Sequence, residues 1–242
     1  LRDSVKAASE ARRERIAVVG GKRVRIRLAD DLKEERSHSV SLSADLYHNF
    51  GRVQTNLLVE GFYTILDDVF ALRDLEDTDD GGKIKERYNG SGAAVRGFNV
   101  EGRAIFTRWF ELQAGVTLQQ SRYKEPEQWS EDADVPPVRR MFRTPDAYGY
   151  FTASFKPVRN FTADLTGTCT GSMLVQHMAG SGVAQDAAVL TPSFFDMNVR
   201  LSYDLRIYKE ITLQLYGGVQ NLFNAYQKDF DKGADRDSGY IY

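Results

Sequence analysis

The sequence predicts an all-β protein that crosses a membrane with the antiparallel strands of a β-barrel. Three observations support this prediction: the regular alternation of residues 193–207, its repetition in seven other segments, and connections that are short at one end of the strands and long at the other. Apolar side chains occupy every second position from Phe195 to Ile207, with polar ones between them. Such a segment forms a strand with one apolar and one polar face. Its length suits a tilted membrane-spanning strand of roughly 9–11 residues better than a soluble strand of about 5–6.

The other alternating segments predict further strands, in chain order, at 39–46, 53–65, 98–106, 110–119, 150–155, 161–173 and 211–220. Short turns are predicted near 49–52, 107–109, 157–160 and 206–210, and long polar loops at 67–84, 122–146, 174–192 and 224–242. Short periplasmic turns opposite long extracellular loops are typical of outer-membrane barrels.

Aromatic residues cluster beside the predicted short turns: Trp109, Phe110, Phe155, Phe161 and Tyr208. We expect them to form a girdle at the lipid interface. The alternative is a soluble β-sandwich with an aromatic core, which the strand lengths disfavour. The predicted polar face carries Arg103, Glu111, Asp164, Asp196 and Arg200. Unless tightly paired, these charges would crowd a narrow lumen, so we expect a wide one that is water-filled or plugged.

We divide the chain into an N-terminal segment, 1–36, and a barrel portion, 37–242. In the first, residues 1–14 are expected to be helical or disordered, 23–28 to form a short ribbon, and 29–36 to turn into the first long strand. Residues 1–15 lack the apolar core of a signal peptide, so we expect a processed chain or a piece of a longer one.

Composition narrows the function classes. The net charge of −2 gives no basic field for nucleic acid, and no apolar run approaches the roughly 18 residues of a membrane helix. A mean hydropathy of −0.44 still permits a barrel, because barrel strands show lipid only every second residue. The single cysteine, Cys169, excludes an intrachain disulfide, and its threonine neighbours place it on the apolar face.

Three segments resemble TonB-dependent outer-membrane receptors. Residues 31–39 resemble the entry to a late barrel strand of that family, and 61–70 resemble the strand that follows. The most specific is 217–226, which resembles the family signature near the C-terminus through Asn221, Leu222, Phe223 and Asn224. The stretch 229–242 looks like the next loop in Bacteroides-type members. The resemblance covers 29–242, and 1–28 only weakly.

The resemblance implies a barrel of about 22 strands with a plugged lumen, of which this chain would be about eight C-terminal strands without the closing one. It implies uptake of a scarce nutrient (a ferric siderophore, haem or cobalamin) through the outer membrane of a Gram-negative bacterium, with energy from TonB. Partners would be the TonB complex through an N-terminal plug, outer-membrane lipid and a surface lipoprotein. No intrinsic cofactor is implied, and iron or cobalt would belong to the transported ligand. An open barrel fragment would leave two edges prone to pair with another copy.

Candidate ligand-contact residues lie in the predicted extracellular loops. Loop 122–146 has aromatic and basic side chains suited to a planar or anionic ligand: Tyr123, Trp129, Arg139, Arg140, Phe142 and Arg143. Packing of loops on one another is the alternative. His177 is expected to be a hydrated loop histidine, with haem ligation as the alternative.

Carboxylates in loop 67–80 suggest calcium, which takes several oxygen ligands; the candidates are Asp74, Asp77, Asp79 and Asp80. Their spacing does not match a calcium-loop motif, and we expect a hydrated acidic loop instead. The acidic residues around Asp229 and Asp235 are interpreted in the same way.

No catalytic constellation is present, because His38, His48 and His177 are scattered and no nucleophile motif occurs. We therefore expect no enzyme activity. A barrel lipase or protease is a distant alternative. The main competitor is a self-contained barrel of about eight strands with a structural or adhesion role.

Overall fold

The computed structural model describes residues 14–19, 22–75, 83–130, 132–180 and 182–229, and this part of the chain is built of strands without a helix. The strands are β1 (Glu14–Val19), β2 (Lys22–Leu28), β3 (Arg36–Phe50), β4 (Val53–Asp67), β5 (Phe70–Asp74), β6 (Lys83–Asn89), β7 (Ala93–Thr107), β8 (Phe110–Glu127), β9 (Val138–Arg140), β10 (Ala147–Phe155), β11 (Phe161–Thr170), β12 (Leu174–His177), β13 (Ala187–Leu190), β14 (Phe194–Tyr208) and β15 (Ile211–Val219).

The main sheet is an antiparallel meander in the order β15-β14-β11-β10-β8-β7-β4-β3, with β9 added to β8. Its eight long strands coincide with the eight predicted segments, so the predicted fold class is confirmed. Four of them, β3, β4, β7 and β14, have 15 residues each, and β8 has 18. These lengths exceed the roughly 9–11 residues that a tilted strand needs to cross a membrane.

The four predicted short turns are confirmed and lie at one end of the sheet, each joining two neighbouring long strands. Left-handed backbone conformations close three of them, at Gly51 (φ 63°), Asn160 (φ 72°) and Lys209 (φ 40°). Glycine and asparagine tolerate this conformation well. The guanidinium Nε of Arg206 donates to the backbone oxygen of Lys209 at 2.7 Å, which holds the least favourable of the three turns.

The connections at the other end differ from the predicted loops because they contain strands. Strands β5 and β6 form a hairpin, and β6 pairs in parallel with β2 to make a second sheet, β1-β2-β6-β5. Strands β12 and β13 form a third. The sequence did not show β5, β6, β12 and β13 because each has only 4–7 residues, too few for a clear alternation, and the β2–β6 pairing joins segments far apart in the chain. Residues 23–28, the predicted ribbon, lie in β2.

The main sheet has two chemically different faces. One cross-strand row consists of Leu112, Ala153, Leu165, Val199 and Val219. The neighbouring row on the opposite face is polar and consists of Arg103, Gln113, Thr152, Thr166 and Asn198. We call the apolar face outward and the polar face inward.

The described residues bury few apolar side chains: Ala29, Ala93, Ala153, Met173 and Val175. By contrast, the outward face exposes large apolar groups, among them Leu42 (82 %) and Phe98 (63 %). A continuous exposed apolar face of this extent needs an apolar environment to cover it. This is the arrangement expected of a single-layer barrel wall in lipid.

Three of the five aromatic residues predicted to lie beside the short turns pack together there, namely Trp109, Phe110 and Phe155. The ring of Phe110 stacks on Phe106 and Phe155, with centroid distances of 5.2 and 4.8 Å, and Trp109 lies 6.0 Å from Phe110.

Strands β3 and β15 lie at opposite edges of the main sheet and, within the described residues, do not pair with each other. The alternative of a closed barrel of about eight strands requires that pairing and is therefore not supported. Within the described residues, no helix is long and apolar enough to cross a membrane.

Candidate functional site at the long-connection end

The candidate site lies where β8 continues beyond residue 119, at which the sequence predicted the strand to end. Tyr123 lies opposite Ala93 of β7 in the sheet register, which places it at the top of the wall. Strand β8 continues to Glu127 and leads into Trp129, and the chain then returns through β9 to Phe142. The connection between β8 and β10 therefore brings Tyr123 and Trp129, near its start, close to Phe142, near its end.

Three of the seven predicted contact residues line one cavity of about 240 Å³: Tyr123, Trp129 and Phe142. The rings of Trp129 and Phe142 meet edge-on at a centroid distance of 5.5 Å. The hairpin side of the cavity is formed by residues 69–72 and the turn 90–92, and Gln176 of β12 completes it. The cavity is thus shared by three separate connections.

Glu127 is the ionisable group of the cavity that sequence reasoning missed. Burial raises the pKa of its carboxyl, and a hydrogen bond from Tyr88 partly offsets that effect. Burial also raises the pKa of Tyr123, with a further contribution from the charge of Glu127 and an opposing one from a backbone hydrogen bond at Phe142. Burial in the cavity thus shifts the pKa values of the Glu127 carboxyl and the Tyr123 phenol in the direction of their neutral forms.

One polar atom in the cavity wall is without a partner. The indole Nε1 of Trp129 is buried, and no described residue accepts a hydrogen bond from it. A buried donor left unpaired costs free energy of about 1–3 kcal/mol. An acceptor supplied by a ligand would remove that cost.

The three predicted arginines do not line this cavity. The guanidinium of Arg139 donates to the backbone oxygen of Lys124 at 2.9 Å and lies 3.9 Å from Glu125. That of Arg140 bonds the backbone oxygen of Ser172 and the carboxylate of Asp146, both at 3.0 Å. Arg139 thus ties β9 to β8 within one connection, and Arg140 joins that connection to the one that begins near Ser172.

Arg143 is exposed and adopts a left-handed backbone conformation, φ 56°. Its backbone N–H donates to the oxygen of Leu174 at 2.8 Å. The chain thus turns at Arg143 after β9, and the backbone hydrogen bond of this residue ties the connection to the first residue of β12.

The expectation of a hydrated His177 is wrong. His177 is the last residue of β12, it is 5 % exposed, and its Nε2 lies 3.0 Å from the carboxylate Oδ1 of Asp229. The burial arises because the chain beyond β15 packs on β12, a contact between segments 52 residues apart. The ring nitrogen that faces Asp229 is engaged in this tie.

Most of the predicted calcium site lies outside the described residues, namely Asp77, Asp79 and Asp80, as does Asp235 of the terminal stretch. Asp74 ends β5. In the part of the chain that the structure describes, no group of three or more His, Cys, Asp or Glu side chains could hold a metal ion.

Polar side chains of the inward face form ion pairs and hydrogen bonds with one another. Arg103 and Glu111 form an ion pair at 2.6 Å. The hydroxyl of Ser154 donates to Asp164 at 2.6 Å. Asn99 donates to Glu60 at 2.9 Å, part of a polar ladder that crosses β4 and β7.

The signature residues build a turn after β15. The side chain of Asn221 donates to the backbone oxygen of Ala225 and accepts from its N–H, at 2.7 and 2.6 Å. Asn221 and Asn224 both have positive φ, 52° and 49°. Leu222 bonds Met197 of β14 through the backbone at 2.8 Å, and the ring of Phe223 lies 6.2 Å from Phe195. These described contacts give the signature a structural role.

The comparisons with known proteins agree with this geometry. A family model described as TonB dependent receptor-like, beta-barrel matches residues 15–222. No curated protein matches the sequence.

Several solved structures are similar to the chain. The ferric-catecholate import receptor Fiu from E. coli superposes with a TM-score of 0.57 at 18% identity, over 86% of this chain and 26% of that one. A mutant form of the ferric enterobactin receptor PfeA from Pseudomonas aeruginosa gives 0.56 at 16% identity, over 87% and 29%. The copper transporter OprC gives 0.54 at 14%, over 81% and 26%.

At these identities the likeness shows the fold. The chain spans less than a third of the length of these structures, and its sheet corresponds to part of a larger barrel wall.

Proposed function

Because the chain belongs to the TonB-dependent receptor-like β-barrel family, we propose that it forms part of a Gram-negative outer-membrane receptor that imports a scarce nutrient with energy supplied through TonB. The segment would be a C-terminal part of the barrel of a Bacteroides-type receptor. Its partners would be the TonB complex, acting through a plug elsewhere in the protein, outer-membrane lipid and a surface lipoprotein.

The observation that carries the proposal is the cavity of about 240 Å³ lined by Tyr123, Trp129 and Phe142. It lies at the end of the sheet with the long connections, which would face the outside of the cell. Aromatic walls with a few polar groups are typical of small-molecule sites. The receptor captures its ligand at this cavity, and the ligand then moves past the polar side chains of the inward face.

The cargo we propose is a ferric siderophore, with haem and cobalamin as the other members of the class. The names of the similar solved structures, which include ferric-catecholate and ferric enterobactin receptors, support the first. The unpaired indole N–H of Trp129 would donate to an oxygen acceptor on such a ligand. Calcium bound by Asp74, Asp77, Asp79 and Asp80 would order the acidic connection.

An uptake experiment on the full-length protein tests this proposal. Cells that express it would be given radiolabelled ferric enterobactin, haem or cobalamin, with and without a functional TonB. We expect one ligand to accumulate only when TonB is present. Accumulation of none of them, or accumulation that is independent of TonB, would contradict the proposal.

A further inference from the structure

On the outward face of β7 and β8, apolar side chains give way to polar and basic ones above the cross-strand pair of Phe98 and Leu118. The next pair on the same face, toward the long connections, is Arg96 with Gln120, and the one after it pairs Ala94 with Arg122. Two guanidinium groups therefore lie on adjacent rungs of an otherwise apolar face. Both side chains are exposed.

These two arginines differ from several other cations near this rim, which have carboxylate partners: Arg36 with Glu34, Lys124 with Asp67 and Arg140 with Asp146. Among the described residues, the guanidinium of Arg96 hydrogen-bonds the amide oxygen of Gln120, to which its Nε and Nη2 donate at 3.2 and 2.8 Å, and it forms no ion pair. No described residue forms an ion pair with Arg122. The rim thus carries two positive charges that the described protein does not neutralise.

An apolar trough of about 620 Å³ lies beneath the first of these guanidinium groups. Leu42, Gly61, Phe98 and Leu118 line it, and Arg96 closes its upper end. Gln119, Gln120 and Asp146 also line the cavity, and the Asp146 carboxylate is paired with Arg140. Gly61 has no side chain, and the Phe98 ring lies beside it at van der Waals distance from where a Cβ would stand. The trough crosses four neighbouring strands, β3, β4, β7 and β8, in one row.

The depth of the arginines matches the edge of a membrane. Arg96 precedes Phe106 of the aromatic cluster by ten positions on β7. A rise of about 3.3 Å per residue and a tilt of about 40° give a vertical separation of ~25 Å. The apolar band of outer-membrane barrels is also about 25 Å tall. Arg96 is therefore at the extracellular rim of the band, and Arg122 lies one rung above it.

We propose that this trough and its two arginines bind a phosphorylated, acylated lipid of the outer leaflet. An acyl chain lies in the trough, and the phosphate accepts charge-assisted hydrogen bonds from Arg96 and Arg122. The planar guanidinium fork matches a phosphate group, and basic residues at the membrane surface attract anionic lipid headgroups. The inference rests on the proposed function, since it requires that the outward face lie in the outer membrane.

A lipid-binding titration of the full-length protein tests the inference. The protein in detergent micelles would be titrated with dioleoyl phosphatidic acid, with dioleoyl phosphatidylcholine and with inorganic phosphate, and bound lipid would be counted by native mass spectrometry. We expect one tight site for phosphatidic acid that phosphatidylcholine does not fill. In the double variant Arg96→Gln/Arg122→Gln, affinity for phosphatidic acid should fall about tenfold or more.

The matched control is Arg25→Gln/Arg27→Gln, which removes two exposed arginines from β2 at the same end of the molecule, away from the trough. It should bind phosphatidic acid like the wild type. Equal affinity in the test variant and the wild type, or an equal loss in both variants, overturns the inference. So does equal binding of phosphatidylcholine, and displacement by inorganic phosphate would show a free anion site instead.

Fractionation of the same cells separates this inference from the proposed function. If the wild type reaches the outer membrane and imports its ligand while the Arg96→Gln/Arg122→Gln variant keeps its phosphatidic acid, only the lipid site is wrong. If the wild type does not reach the outer membrane, the proposed function and the lipid site are both wrong.

Discussion

Trp129 and Phe142 meet edge-on, with their ring centroids 5.5 Å apart. Trp129 follows β8 and Phe142 follows β9, so their contact closes the connection between these strands over the cavity. The indole Nε1 remains buried without a partner among the described residues. Trp129 therefore contributes to the cavity both an aromatic packing contact and a hydrogen-bond donor that no described residue satisfies.

Trp129→Ala should weaken ligand binding about tenfold or more, because it removes both an aromatic wall and a buried donor, as is typical of binding hot spots. Isothermal titration of the full-length receptor with its imported ligand measures this. Trp109→Ala, at the short-turn end, is the matched control and should bind normally. Equal affinities for the two variants would show that the cavity is not the ligand site.

Glu127→Gln should remove a pH dependence of the cavity region. Burial raises the pKa of Glu127 in the folded protein. A carboxyl of this kind contributes stability that is complete below its unfolded pKa and is lost as the pH rises through the folded pKa. Hydrogen exchange of residues 122–129, corrected for intrinsic rates, should therefore show protection in the wild type that falls as the pH rises above the ordinary pKa of a glutamate carboxyl.

The neutral amide of Glu127→Gln should flatten that profile, whereas Glu125→Gln, which alters an exposed carboxyl on the same strand, should leave it unchanged. A wild-type profile that rises with pH would contradict the assigned direction of the shift.

Gly167→Ala should destabilise the sheet by about 1 kcal/mol or more, the usual cost of overpacking. A Cβ at Gly167 would lie 2.2 Å from the Phe151 ring, which covers this glycine. Gly102 lies in the same outward row and has no atom within 4 Å of its Cβ position. Gly102→Ala should therefore be neutral or slightly stabilising. Urea unfolding in micelles compares them, and equal costs would refute the role of Phe151.

Asn221→Ala should destabilise the turn after β15 by about 1–3 kcal/mol, because it removes two hydrogen bonds with Ala225 and places alanine at φ 52°. Asn221→Gly loses the bonds but tolerates the conformation, so its cost should be smaller. The same unfolding assay separates the two contributions. If glycine is as harmful as alanine, the backbone conformation does not matter.

The eight long strands could be predicted because each shows its environment in its own residues. The alternation from Phe195 to Ile207 indicates that one face of the strand meets an apolar medium, and the short turns indicate which strands are neighbours in the sheet. The small strands could not be predicted in this way. Strand β6, for example, has only seven residues and pairs with β2 across more than 50 positions of the chain, so its own residues do not indicate its partner.

The candidate site was predictable only in its aromatic part. Tyr123, Trp129 and Phe142 were expected together and line one cavity. Glu127 was missed because the alternation of β8 ends before it, and its environment comes from Tyr88 on another connection. His177 was misjudged for the same reason: its burial depends on Asp229, which is distant in sequence.

The central claim is that one face of this sheet lies in lipid and the other lines an aqueous or plugged lumen. Spin labels placed one at a time along residues 195–205 of β14, in the full-length protein reconstituted in bilayers, test it most directly. We expect collisions with lipid-soluble oxygen to peak at Phe195, Met197, Val199, Leu201 and Tyr203 and to fall at every position between them. A profile without this period of two, or with oxygen peaks at Asn198 and Arg200, would contradict the account.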